Sequence, residues 1–256
     1  MKLLSNAKIN LNLKIRGFKN GFHQIESTII PISIYDSIEI LSSKDDSVIG
    51  MDINEKENII YKAIKLFKKR FCINDCVTIK IKKDIPMQAG LGGGSSNAAF
   101  VLKGLRDFFA VEATDFELAK LSIELGSDVP FFIFNKPSLV MGRGEIIEPI
   151  VDFKKIYGVI VFDNLSFSTK DVYCKYDNIE KCFHLENDLE LAARELSGGE
   201  RIISIEKDLY DKGAYKSSLT GSGGAVFGLF KSEEHALRTV EELKNRYYYV
   251  KFFYSI

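Results

Sequence analysis

Polar and apolar residues alternate along the first third of the chain, as they do in half-buried strands. In Lys8–Ile15 the odd positions are apolar and the even positions are lysine or asparagine. This pattern predicts a strand with one polar face. Asn20-Gly21 predicts a tight turn, and Ser27–Ile34, Asp36–Leu41 and Cys76–Ile81 predict further strands.

Helical spacing appears in three places in the first half of the chain. Asn58–Phe71 has apolar residues three and four positions apart, and a similar stripe follows the glycine-rich stretch near residue 94. Thr114–Leu125 predicts a third helix. Thr114 is followed three residues later by Glu117, which is the pattern of a capping box.

The second half mixes strands and helices without a regular strand–helix alternation. Ser138–Ile147 predicts a hairpin through Gly142-Arg143-Gly144. The other predicted elements are the strand Ile156–Phe162, helices over Thr169–Tyr176, Leu185–Leu196 and Glu200–Lys212, the strand pair Leu219–Phe230, a helix from Ser232 to about Tyr247, and the strand Val250–Tyr254. The order indicates an α+β protein, which we divide into residues 1–152 and 153–256.

Composition narrows the function classes. The chain has 35 Lys+Arg and 35 Asp+Glu residues, so it has no net field to attract nucleic acid or an anionic membrane surface. Its apolar runs are too short to span a bilayer. The cysteines Cys72, Cys76, Cys174 and Cys182 are spaced unlike common zinc sites, and we expect free thiols in a cytoplasmic protein.

The chemistry is concentrated in Gly90–Ser96, a glycine- and serine-rich loop between a predicted strand and a predicted helix. Glycines let backbone N–H groups approach a ligand closely. The following helix adds its unpaired N-terminal N–H groups and the positive end of its dipole. Together these features predict a binding site for a polyphosphate.

Other phosphate motifs are excluded. There is no Gly-Lys-Ser/Thr sequence of a P-loop, and Ser95 occupies the position of the third glycine of a dinucleotide fingerprint. The His-Arg-Asp and Asp-Phe-Gly sequences of protein kinases are also absent. The loop alone leaves open a flexible connection or a helix cap that binds no ligand.

Five segments, in order, resemble one family. Pro86–Ala99 resembles the phosphate loop of the galactokinase, homoserine kinase, mevalonate kinase and phosphomevalonate kinase (GHMP) superfamily. Ala7–Leu11, Gly21–His23, Gly126–Phe132 and Leu219–Phe227 resemble its other motifs, in the form found in the members that act on a cytidine-diphosphate-linked methylerythritol. The matches extend over nearly the whole chain.

The resemblance implies a two-lobed α+β fold, with an N-terminal lobe like domain 2 of ribosomal protein S5 and a ferredoxin-like C-terminal lobe. It also implies a reaction, transfer of the γ-phosphoryl group of ATP to the 2-hydroxyl of that substrate, in the non-mevalonate route to isoprenoid precursors. Mg²⁺ is expected with ATP because it neutralises the β- and γ-phosphates. We expect no nucleic-acid or membrane partner, and a monomer or weak dimer.

The resemblance also implies residue roles. Asp128 would be the general base, and Lys8 would offset charge on the transferring group. Without the resemblance, Asp128 could be a capping residue and Lys8 a solvated strand lysine. The implied ATP-binding residues are Asn58, Lys83, Pro86, Met87, Gln88, Ala89, Gly90, Leu91, Gly92, Gly93, Gly94, Ser95 and Ser96, with Ser96 also a candidate metal ligand.

The implied substrate-binding residues are Asn10, Phe22, His23, Thr169, Tyr173 and Gly221. Phe22 would stack on cytosine where the family usually has tyrosine, and Tyr173 would cover the other face. Gly221 would admit the substrate diphosphate or support the phosphate loop. A sister kinase of the superfamily and a catalytically silent nucleotide-binding protein remain the alternatives.

Overall fold

The computed structural model describes residues 1–180 and 184–256, so Cys182 lies outside the described part. Cys72, Cys76 and Cys174 are free thiols. Within the described residues the strands are β1 Lys2–Asn10, β2 Lys14–Lys19, β3 Phe22–Ser43, β4 Ser47–Ile49, β5 Cys76–Lys82, β6 Ser138–Gly142, β7 Ile146–Pro149, β8 Tyr157–Phe162, β9 Lys216–Leu219, β10 Val226–Phe230 and β11 Tyr249–Tyr254. The helices are α1 Ile59–Phe71, α2 Gly93–Phe108, α3 Asp115–Ser122, α4 Val129–Phe134, α5 Thr169–Asp177, α6 Glu190–Arg194, α7 Glu200–Asp211 and α8 Glu233–Leu243.

The chain forms two compact units, each made of separate stretches. The first contains Met1–Ala7, Tyr35–Ile85 and Gly92–Lys136. The second contains Lys8–Ile34, Pro86–Leu91 and Pro137–Ile256. The glycine loop therefore has its first half in the second unit and its helix in the first. The sequence-based division after residue 152 stays a prediction.

The first unit packs helices on a short sheet. The C-terminal half of β3 pairs antiparallel with β5, which pairs parallel with β4. Helix α1 buries Ile60, Ala63, Ile64 and Phe67, the apolar stripe that its spacing predicted. It packs against α2, which also contacts α4. The capping box of Thr114 and Glu117 is present at α3, so that prediction is confirmed.

The second unit contains a four-stranded antiparallel sheet in the order β11-β8-β10-β9. Its strands and helices follow the chain order of a ferredoxin-like fold. Buried residues from α5, α6 and α7 pack on this sheet, among them Val172, Ala192 and Ile205. The predicted ferredoxin-like part is confirmed by this topology.

The predicted strand Lys8–Ile15 is wrong in its extent. Strand β1 ends at Asn10, and β2 begins at Lys14. Between them the Asn12 side chain accepts a hydrogen bond from the backbone N–H of Thr28 at 2.7 Å. The Leu13 N–H donates to the Glu186 carbonyl at 2.9 Å and not to a neighbouring strand of the β1 sheet. Polar side chains and a distant partner thus end the strand early.

Two further predictions need correction. The strands predicted at Ser27–Ile34 and Asp36–Leu41 are one continuous strand, β3. The helix predicted over Leu185–Leu196 is reduced to α6, because Asn187 forms a local turn in which its side-chain oxygen accepts the Leu189 N–H at 3.0 Å. No helix in residues 1–180 and 184–256 is long and apolar enough to cross a membrane.

Candidate active site

The helix half of the glycine loop presents free N–H groups. Gly92 precedes α2 in a left-handed conformation, with φ of 69°. The N–H groups of Gly93, Gly94 and Ser95 belong to the first turn, where an α-helix offers no internal acceptor. Ser96 N–H is the first to bond within the helix, to Gly92 at 2.8 Å. The turn is therefore built to receive an anion.

The Ser96 hydroxyl adds a polar atom to this turn. Ser96 is fully buried, and its Oγ has no hydrogen-bond partner among the described residues. An unpartnered buried hydroxyl costs about 1–3 kcal/mol. A bound oxyanion or a cation that prefers oxygen ligands would satisfy it.

The first half of the glycine loop packs backbone to backbone on a second glycine segment within the other unit. A Cβ on Gly90 would lie 2.2 Å from the Thr220 carbonyl oxygen, and one on Gly223 would lie 2.0 Å from the Gly90 nitrogen. Ala225 N–H donates to the Ala89 carbonyl at 3.0 Å. Glycine is required at both positions because the two chain segments touch.

Lys8 and Asn10 form a buried polar pair next to these segments. The Lys8 ammonium donates to Asn10 Oδ1 at 2.5 Å, and the two residues are 4% and 3% exposed. Asn10 also donates through its backbone to Thr220 Oγ1 at 3.0 Å and through Nδ2 to Ser27 Oγ at 2.7 Å. A Cβ on Gly221 would lie 3.3 Å from Asn10 Oδ1 and 3.4 Å from Lys8 Nζ. The structure thus brings together three predicted site residues, Lys8, Asn10 and Gly221.

A polar cavity of about 320 Å³ opens beside the loop in the same unit. Thr169 and Ser222 line it, and their hydroxyl oxygens lie 2.9 Å apart. Gln88, a further lining residue, adopts a left-handed φ of 58° and accepts a hydrogen bond from the Ser166 hydroxyl. The other lining residues are Gly90, Phe167, Ser168 and Gly223. Hydroxyl, amide and backbone donors of this kind suit a phosphate-bearing ligand.

Aromatic side chains cluster elsewhere in the second unit. The His23 and Tyr173 rings lie 4.9 Å apart, and His23 Nε2 lies 2.8 Å from Asp177 Oδ1. Phe22 is 47% exposed, and the Arg143 guanidinium lies 3.5 Å above its ring. An exposed ring that is held in place in this way is available to stack on a planar ligand.

Asp177 also affects the electrostatics of this cluster. Burial, together with the carboxylates of Asp188 and Asp177, raises the pKa of the Tyr176 phenol. The ring of Tyr176 lies 5.9 Å from that of His23. The phenol therefore stays a neutral hydrogen-bond donor over the physiological pH range.

Three predicted residues outside the glycine loop lie in the first unit. Asn58 caps α1, its side chain accepting the Ile60 N–H at 2.9 Å. Lys83 forms an ion pair with Asp36 and donates to Asn97 Oδ1 at 3.1 Å. Asp128 occupies the N-cap position of α4 but makes no capping hydrogen bond, and it is half-buried. The Asp128 side chain therefore does not cap α4, although the sequence left that role open.

Sequence comparisons identify the family. The model described as GHMP kinases N terminal domain matches residues 58–136, and that of GHMP kinases C terminal matches residues 176–249. A curated relative from Clostridium tetani, named 4-diphosphocytidyl-2-C-methyl-D-erythritol kinase, is 35% identical over 96% of this chain and 97% of its own. This chain belongs to the GHMP kinase family. A Clostridium botulinum relative of the same name is 36% identical over 95% of each chain.

Solved structures of GHMP kinases agree with this assignment. A crystal structure of 4-(cytidine 5'-diphospho)-2C-methyl-D-erythritol kinase matches all of this chain and 99% of its own, with a TM-score of 0.87 and 27% identity. The mevalonate kinase of Methanococcus jannaschii matches with a TM-score of 0.71 and 16% identity, which shows the shared fold alone. The predicted family and fold class are confirmed.

Sequence reasoning missed residues that hold the GHMP kinase loops. Asn187, fully buried, donates through Nδ2 to the carbonyls of Leu219 and Gly221, at 3.0 and 2.7 Å. Asp36 and Asn97 bind Lys83 near the start of α2. Asn97 was visible inside the glycine motif, but neither spacing nor periodicity identifies the distant partners of Asp36 and Asn187.

Proposed function

We propose that this protein transfers the γ-phosphoryl group of ATP to the 2-hydroxyl of 4-diphosphocytidyl-2-C-methyl-D-erythritol, giving the 2-phosphate and ADP. The reaction belongs to the non-mevalonate formation of isoprenoid precursors. The observation that carries the proposal is the combination of a glycine loop ending in an open helix N-terminus with an exposed Phe22 ring and the partly buried rings of His23 and Tyr173. Relatives with this kinase name, which match the chain over nearly their whole length, support the proposal.

Each polar group of the candidate site has a role in this reaction. The first-turn N–H groups of α2 bind the polyphosphate of ATP, and Lys8 offsets charge on the transferring phosphoryl group. Asp128 accepts the proton of the 2-hydroxyl as its oxygen bonds to phosphorus. Asn10, which Lys8 orients through a hydrogen bond, binds the methylerythritol hydroxyls.

Phe22, His23 and Tyr173 of the second unit bind the cytidine. Phe22 supplies a stacking face, and Tyr173 contributes a second ring beside His23. Because Asp177 accepts a hydrogen bond from His23 Nε2 when that nitrogen carries its proton, the other ring nitrogen is left to meet the cytosine edge. Thr169 and Gly221 border the path of the diphosphate.

Mg²⁺ accompanies ATP in this proposal. The buried, unpartnered Ser96 hydroxyl fits a cation that prefers oxygen ligands and takes few of them from the protein. When bound, Mg²⁺ neutralises charge on the β- and γ-phosphates. In residues 1–180 and 184–256 no cluster of three His, Cys, Asp or Glu side chains forms another candidate metal site.

A panel of alcohols tests the proposed reaction. ADP release would be measured with ATP, Mg²⁺ and one of three substrates: the cytidine-diphosphate methylerythritol, mevalonate or homoserine. We expect release only with the cytidine compound, and competition by CDP. Release with mevalonate or homoserine alone would show a sister kinase, and ATP binding without release would show a silent nucleotide-binding protein.

A further inference from the structure

A buried carboxylate lies beneath the chain that enters the glycine loop. Asp36 is fully buried in β3. Its Oδ1 accepts the backbone N–H groups of Asp84 at 2.8 Å and Ile85 at 2.9 Å, and its Oδ2 forms an ion pair with Lys83. These three partners are the last residues before Pro86, where the loop begins. One side chain therefore fixes the direction of the chain at the loop entrance.

The same carboxylate also reaches the helix that leaves the loop. Asn97, fully buried near the start of α2, donates through Nδ2 to Asp36 Oδ2 at 2.9 Å and to Ser5 Oγ at 2.7 Å. Its Oδ1 accepts from the Lys83 ammonium at 3.1 Å. Asp36, Lys83 and Asn97 thus form a closed triangle of hydrogen bonds, which we call the loop clamp.

The loop clamp touches the first residue of α2 as well. A Cβ on Gly93 would lie 2.9 Å from the Ile85 side chain and 3.1 Å from Lys83 Nζ. Burying a charged pair is costly, and such a pair persists where it is fully hydrogen-bonded. A satisfied buried network holds its members in one arrangement. The N-terminus of α2 therefore rests on a rigid polar base.

We propose that Asp36, Lys83 and Asn97 are positioning residues that hold the two ends of the glycine loop at a fixed spacing. The first-turn N–H groups of α2 are then aimed at the polyphosphate before it binds, which removes part of the ordering cost of binding. This role of the loop clamp rests on the proposed function, because it takes ATP as the ligand. Lys83 acts through Asp36 and Asn97 rather than through a contact with the nucleotide.

The chain offers a matched control in the same unit. Asp46, whose side chain is 3% exposed, accepts the Val77 N–H at 3.1 Å and the Lys68 ammonium at 2.8 Å. Burial works to raise the pKa of Asp46, but the hydrogen bonds from Lys68, Val77 and Lys65 outweigh it and hold the pKa below its ordinary value. Lys68→Met therefore breaks the same kind of ion pair at the opposite end of β5.

The experiment uses the full chain with Lys83→Met, Lys83→Arg, Asn97→Ala and Lys68→Met. Calorimetry gives the Kd for ATP with Mg²⁺, and hydrogen exchange without nucleotide reports on the amides of Asp84, Ile85 and the first turns of α2. Lys83→Met and Asn97→Ala should raise the Kd at least about tenfold and speed this exchange. The KM for the cytidine substrate should change less than about twofold.

Lys83→Arg keeps a cation with N–H donors and should recover most of the affinity, whereas Lys68→Met should lower only the melting temperature. The proposal is overturned if Lys83→Met and Asn97→Ala match Lys68→Met in both loop exchange and Kd. Because hydrogen exchange is measured without ATP, it tests the loop clamp even if the wild type transfers no phosphate to the cytidine compound. A lack of phosphoryl transfer would reject the proposed function alone. If Lys83→Met does not fold, Asn97→Ala, which removes no charge, carries the test.

Discussion

Gly90 and Gly94 lie four residues apart in one loop, but the structure gives them different reasons to lack a side chain. Gly90 has a left-handed φ of 81°, and a Cβ there would strike the Thr220 carbonyl at 2.2 Å. Gly94 is exposed at the start of α2, and the nearest atom to its Cβ would be Ile59 Cγ2 at 3.9 Å. Folding requires the first glycine, while only a ligand would require the second.

We therefore predict that Gly90→Ala lowers the free energy of unfolding by about 2 kcal/mol or more, through backbone strain and the clash. Gly94→Ala should keep stability or raise it by up to about 1 kcal/mol, because alanine favours a helix. Gly94→Ala should nevertheless weaken ATP binding, since its methyl group stands before the first-turn N–H groups. Thermal melts and nucleotide titrations check both. Full ATP affinity in Gly94→Ala would show that the phosphates do not approach this turn.

Asp128 gives a second prediction at the scale of one residue. Its side chain makes no capping hydrogen bond to α4. Replacing it should therefore remove the proposed general base without removing a helix cap. Asp128→Asn should lower kcat at least ~100-fold, the usual contribution of a general base. The melting temperature and the Kd for ATP should stay close to those of the wild type. A kcat within tenfold of the wild type would remove Asp128 from the role of base.

At the scale of elements, the short helix α6 and the longer helix α7 share a buried charge cluster. The Arg194 guanidinium donates to Glu190 at 2.6 Å and also to Glu206. Glu190 further accepts from Ser218 Oγ at 2.8 Å and Leu219 N–H at 2.9 Å. Burial, and then the carboxylate of Glu190, raises the pKa of Glu206 to about 8, although Arg194 acts to lower it. A pKa raised in this way favours the protonated form of Glu206 at neutral pH.

This raised pKa predicts how stability depends on pH. Because the folded protein holds a proton on Glu206 that the unfolded chain releases near its ordinary pKa of 4.5, stability is fully present below that value and falls as pH rises toward about 8. The slope is at most about 1.4 kcal/mol per pH unit for one proton. Denaturant melts of Glu206→Gln should lack this part of the slope.

The control is Glu242→Gln. The Glu242 carboxylate pairs with Lys212 at the surface, and removing it should leave the slope above pH 5 unchanged. If Glu206→Gln and wild type lose stability in parallel as pH rises, Glu206 is ionised in the folded protein.

Elements with local signals were predictable from the sequence. The Asn20-Gly21 turn and the Thr114–Glu117 capping box each depend on residues within three positions, and both are present. Elements shaped by distant partners were not. Asn187 bonds to Leu219 and Gly221, more than 30 positions away, and these contacts replace the helix that local propensity favours.

The candidate site shows the same division. Alternation alone placed Lys8 and Asn10 on one polar face, and their side chains do meet. The approach of Gly221 to this pair, the clamp on Asp36 and the stacking of Arg143 on Phe22 arise from contacts across the fold. Sequence spacing carries no information about such contacts.

For the whole molecule, the match to a curated kinase over 96% of the chain shows a GHMP kinase, a family that acts on small molecules. The proposed groups come from β1, the start of β3, the glycine loop, the start of α4, α5 and the β9–β10 connection. Because these groups come from all parts of the chain, the complete reaction tests their proposed roles more directly than binding of either ligand alone.

Phosphorus NMR of the reaction products tests that reaction most directly, with ATP, Mg²⁺ and the cytidine-diphosphate methylerythritol labelled with carbon-13 at the carbon bearing its methyl group. We predict that the γ-phosphate resonance of ATP is replaced by a monoester resonance with two-bond coupling to that carbon, with one ADP formed per ester. Inorganic phosphate without a new ester, or an ester on another hydroxyl, would contradict it.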